Sequence, residues 1–86
     1  MTAEAIRARK MKRYFFDVIS EKGPEYDFRG RDFAEPNKAF QLAQLLALDF
    51  EVGGGDEFSG GSVNVRNAHG HKLYSVRIRE AELIAA

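Results

Sequence analysis

No cysteine occurs in the 86 residues. Disulfides and thiolate metal sites are therefore excluded, and the chain suits a reducing compartment such as the cytoplasm. No apolar run approaches the ~18 residues of a membrane span. The basic residues near the N-terminus lead into no apolar stretch, so they do not read as a secretory signal. No internal repeat and no low-complexity tract appears. Ser20, Ser59, Ser62 and Ser75 sit in no nucleophile-elbow setting, so no catalytic nucleophile is evident. Net charge is also lacking, because 13 basic side chains balance 13 acidic ones.

That balance hides an asymmetry. Residues 1–13 carry five basic side chains (Arg7, Arg9, Lys10, Lys12, Arg13) against one acid, Glu4. The remaining chain holds eight basic and twelve acidic residues. A basic arm thus precedes a mildly acidic body. Such an arm can meet nucleic acid or an anionic surface, or it can be a solvated terminus. A chain of this length forms one domain with a small core, burying only about 60% of its unfolded surface.

The order of elements follows from local pattern. Residues 13–19, "RYFFDVI", are aromatic and β-branched, and read as a strand. Gly23 and Pro24 mark a turn. Residues 26–30, "YDFRG", alternate apolar and polar side chains, which predicts a second strand completing a hairpin. Pro36 opens a helix expected to run to about Phe50, ended by Gly53, Gly54 and Gly55. Residues 62–67 and 72–80 alternate again and read as two further strands around a turn at Gly70. The expected fold is α+β: a two-layer ββαββ sandwich with a four-stranded, mostly antiparallel sheet and one helix packed on one face. Residues 1–10 read as a basic extension, 11–80 as the domain, and 81–86 as a tail.

Period then sorts the faces. Ala39, Leu42, Ala43, Leu46, Ala47 and Phe50 form the apolar side of the helix, with Phe40 flanking it. Leu45 and Leu48 fall on the polar side and ask for a cover. In the strands, Tyr14, Phe16 and Val18, then Tyr26 and Phe28, Val63 and Val65, and Tyr74, Val76 and Ile78 should meet the helix. The opposite sheet face is left open. It carries Phe15, Asp17, Ile19, Asp27, Asn64, Leu73 and Ser75, with Arg13, Arg29, Arg66, Arg77 and Arg79. Cross-strand ion pairs would make it a wet sheet. Arginines beside an aromatic would instead make a platform for single-stranded nucleic acid, which Asp17 and Asp27 oppose.

Other chemistry is thin. His69 and His71 form H-x-H in a turn, but nothing in the sequence places a third ligand beside them. The triple glycine is followed by Asp56 and Glu57, not Lys-Ser/Thr, so it is not a phosphate loop. Asp56 and Glu57 adjoin in an exposed loop, where a raised pKa has no cause. No catalytic residue, cofactor or metal is expected.

Several short motifs occur in a fixed order. Met11-Lys12-Arg13-Tyr14-Phe15-Phe16 opens the folded part. Asp27-x-x-Gly30 follows, then the Ala- and Leu-rich helix, then Val63-x-Val65-Arg66-Asn67-x-x-Gly70. Over roughly residues 11–80 this resembles a family of short uncharacterised proteins of rhizobia and their alphaproteobacterial relatives, a domain of unknown function. The resemblance implies a ββαββ fold and no particular activity. It also implies that Met11 is the usual start and residues 1–10 an extension. In Asp27-x-x-Gly30, the Asp side chain is expected to tie down a bend, with glycine supplying its backbone conformation.

The expectation that follows is a small, non-enzymatic cytoplasmic module with no membrane span. It would act by protein contact, as a homo-oligomer or with another protein. Its surface would be Arg13, Phe15, Arg29, Leu45, Leu48, Arg66, Arg77 and Arg79. The alternative is a nucleic-acid-binding regulator using the basic arm and the open-face arginines.

Overall fold

The structure, a computed structural model, describes residues 11–79. The expected extension at 1–10 and tail at 81–86 lie outside the described residues. The elements are β1 (Lys12–Ser20), β2 (Gly23–Glu25), β3 (Arg31–Phe33), α1 (Pro36–Gly53), a 3-10 turn (Asp56–Phe58), β4 (Ser62–Asn67) and β5 (Lys72–Arg77). The sheet runs β2–β1–β4–β5, with β3 also paired to β1. All four pairings are antiparallel. β4 takes one edge of β1 through residues 14–19. β2 and β3 share the other edge, at residues 18–20 and 12–14.

α1 lies across β4 and β5 on one face of the sheet. Ala39, Ala43 and Ala47 recur every fourth residue and are all buried. Their small side chains let the helix sit close to Val63 and Val65, which are fully buried with Ile78. Burial of each such β-branched side chain contributes about 1.5–3 kcal/mol. Tyr14 and Phe16 complete the core, with Val18, Leu42, Leu46, Tyr74 and Val76 packed around it. Phe40 lies against Tyr74 at 4.9 Å and Phe50 against Phe58 at 4.6 Å between ring centroids. Gly61 crosses β1 so closely that a Cβ there would overlap the Ile19 carbonyl oxygen.

The predicted strand at 26–30 does not form. Tyr26 is 57% and Phe28 90% exposed, so neither reaches the helix. The cause is Asp27, whose Oδ1 accepts the N–H groups of Arg29 and Gly30 at 3.0 and 3.2 Å. That local capture bends the chain, and Gly30 completes the bend with φ +70°. Two three-residue strands flank the bend instead. Phe33, one turn of the pattern later, supplies the aromatic contact, 6.2 Å from both Tyr14 and Phe16.

The helix also runs past Phe50 to Gly53, where the Gly54 N–H donates to the Phe50 carbonyl at 2.9 Å. The last strand stops at Arg77, short of the expected 80.

Candidate interaction surfaces

The open sheet face is built around one buried carboxylate. Asp17 is 4% exposed although it points away from the helix. Arg66 reaches it diagonally across the β1–β4 pairing, with Nε at 2.7 Å and Nη2 at 3.1 Å. The same Nη2 donates to the Asp27 carbonyl at 3.0 Å. The Asp27 N–H donates to Asp17 Oδ1 at 2.9 Å. The Phe16 N–H donates to Asp27 Oδ2 at 3.1 Å. The Arg66 guanidinium also lies 4.7 Å from the centre of the Phe15 ring.

The electrostatics follow from these contacts. Partial burial works against the charge of Asp27, but the N–H groups of Phe16, Gly30 and Arg29, aided by Arg66, outweigh it. The carboxyl is held below its usual range. Hydrogen bonding to Asp17 holds Arg66 further above its own ordinary value.

Arg13 is also occupied. It forms a two-pronged pair with Asp32, at 2.9 and 3.2 Å, and donates to the Arg29 carbonyl at 3.1 Å. Hydrogen bonding by Arg13 lowers the Asp32 carboxyl in turn. Thus Arg13, Phe15 and Arg66 are brought together, but as a clamp on the 26–30 bend. Arg29, Arg77 and Arg79 remain exposed. Between β4 and β5, Asn64 Oδ1 accepts the hydroxyls of Ser62 and Ser75 at 3.2 and 2.7 Å.

The second surface is the outer side of α1. Leu45 and Leu48 are 60% and 51% exposed, and Val52, one turn further on, is 81% exposed. Val52 was not among the expected surface residues. Its signal was the 45-48-52 spacing, hidden because the helix was expected to end at Phe50. Together the three form a short apolar stripe opposite the buried alanines.

The β4–β5 turn is a structural device. Asn67 Oδ1 accepts the N–H groups of His69 and His71, both at 2.9 Å. The imidazoles stand 6.4 Å apart between ring centres. Among the described residues, no group of three His, Cys, Asp or Glu stands close enough to hold a metal ion. Among them, too, no helix is long and apolar enough to cross a membrane.

These features define a class: a small α+β domain with one helix on an open antiparallel sheet. A family model described as Domain of unknown function (DUF6894) matches residues 13–79, and the chain belongs to that family. The match spans the clamp, the helix and both hairpins. No curated protein and no solved structure matches the chain.

Proposed function

We propose that this chain is a non-enzymatic contact module of the cytoplasm that pairs with a second copy of itself through the outer face of α1. The observation that carries the reading is the exposed Leu45, Leu48 and Val52 stripe. Stripes with alternating three- and four-residue spacing suit packing against another helix. Charge favours a like partner in antiparallel orientation. Lys38 and Asp49 are about three turns apart and so share one flank of the stripe. A two-fold axis near Leu45 keeps that flank common to both helices and brings Lys38 of each copy toward Asp49 of the other. The stripe is short against the ~1,200 Å² total of stable complexes, so micromolar pairing is expected.

The open sheet face joins this reading as a secondary surface, with Arg77 on β5 exposed, and Arg29 in the bend and Arg79 past the end of β5 exposed as well. A nucleic-acid role has less support, because Arg13 and Arg66 already face Asp32 and Asp17.

Sedimentation equilibrium across micromolar concentrations tests the proposal. A wild-type dimer and a folded, monomeric Leu48→Glu variant are expected. A wild-type monomer at several hundred micromolar would overturn it, and salt-sensitive binding of labelled single-stranded RNA would move the assignment to the other class.

A further inference from the structure

We infer that the concavity at the N-terminal end of α1 is a binding site for the phosphate group of a small organic molecule. The cavity measures about 480 Å³ and opens between the start of β1, the start of α1 and the β4–β5 turn. Lys12, Tyr14, Pro36, His69 and Leu73 are among its walls, and no Asp or Glu lines it among the described residues.

Four observations converge there. First, the helix start is uncapped: Glu35 is the N-cap residue but makes no side-chain cap bond, and the first turn holds no acid. Lys38 turns its N–H to the Glu35 carbonyl at 3.1 Å, and Pro36 has none, which leaves the Asn37 N–H at the mouth of the helix. The positive end of the helix dipole adds to this.

Second, Lys12 is exposed and takes part in no ion pair among the described residues. Arg13, beside it, is spent on Asp32.

Third, Tyr14 is 3% exposed, yet its hydroxyl has no hydrogen-bond partner among the described residues. Among the described residues no fully buried side-chain polar atom lacks a partner, so the Tyr14 hydroxyl keeps some solvent contact, and Tyr14 lines the cavity. A phenol this deeply placed ordinarily finds an acceptor. An anionic oxygen is the acceptor that suits Lys12 and the helix end.

Fourth, Pro36, Ala68 and Leu73 give an apolar wall beside the cationic corner, fit for the organic part of a phosphate monoester.

Titration of the labelled full chain with inorganic phosphate and with phenyl phosphate, followed by amide NMR, tests the site. Saturable shifts at Asn37, Lys38, Ala68 and His69 are expected, with phenyl phosphate binding several-fold tighter. Tyr14→Phe keeps the ring and the fold, removes only the hydroxyl, and should weaken binding about ten-fold, as loss of one charged hydrogen bond does. Lys12→Gln should weaken it similarly. Absence of saturable shifts, or unchanged binding by a folded Tyr14→Phe chain, would overturn the inference.

Discussion

Arg66 and Asp17 meet at 2.7 and 3.1 Å across the β1–β4 pairing, and the bend at 26–30 is folded over them. The pair is the hinge pin of the open sheet face. It makes Asp17 buried, sets the position of Asp27, and places a cation over Phe15.

Removing the cation alone leaves the buried Asp17 carboxylate without its counter-ion, with the Asp27 N–H as its remaining hydrogen-bond donor. Arg66→Met is expected to cost about 3 kcal/mol, near the lower bound for breaking a buried pair because the guanidinium keeps some solvent contact. Asp17→Leu combined with Arg66→Met should recover much of that loss. Urea denaturation of the single and double variants checks both statements.

Gly30 is fixed by space as well as by conformation. At φ +70° a Cβ would stand 2.8 Å from the Tyr14 carbonyl oxygen and 2.8 Å from Arg13 Cγ. Gly30→Ala is expected to destabilise by about 2 kcal/mol and to loosen the Arg13–Asp32 pair. Thermal melts, with the Arg13 side-chain resonances followed by NMR, would register both effects.

Phe33 takes the core-facing role that alternation assigns to Phe28, which is 90% exposed. Phe28→Ser should change stability by no more than about 0.5 kcal/mol, as an exposed substitution does. Phe33→Ala should cost about 2–3 kcal/mol, somewhat under a full core deletion because the ring is half-buried. Equal effects in chemical denaturation would contradict the placement of both rings.

Asp27 ties stability to pH. Its folded carboxyl is held below the ordinary aspartate value of about 3.9. The stabilisation is thus fully present above that ordinary value and is lost as pH falls through the lower folded one. Stability of the wild type should therefore decline below about pH 4. Asp27→Asn should be less stable at neutral pH and show a shallower acid limb, leaving Asp32 to contribute in the same direction. Denaturation midpoints measured from pH 2 to 7 would display the difference.

Much of this architecture is legible in the residues. The β1, β4 and β5 patterns assign Tyr14, Phe16, Val63, Val65 and Ile78 to the core, and the four-residue alanine spacing finds the buried side of α1. The Asp27-x-x-Gly30 bend is legible as local chemistry, since an Asp side chain and a glycine suffice to form it.

What alternation cannot distinguish is a strand from a loop that happens to alternate. Tyr26-Asp27-Phe28-Arg29 satisfies period two, and only the N–H groups gathered by Asp27 decide against it. Strands of three residues, such as β2 and β3, are too short to carry a period. The burial of Asp17 was equally hidden, because it depends on a contact with Arg66, distant in the chain.

Pairing of the outer face of α1 with a second copy is the proposal to test first. The absence of native cysteine permits a direct test. Single-cysteine chains, Leu45→Cys and Leu48→Cys on the stripe and Ser75→Cys on the exposed sheet face, are oxidised mildly at micromolar concentration, and disulfide-linked dimer is measured over time. If the stripe pairs two copies, crosslinking is rapid through at least one stripe position, is abolished by Val52→Glu, and is slow through Ser75→Cys. Equal rates at all three positions, or rates at the stripe unaffected by Val52→Glu, would contradict it.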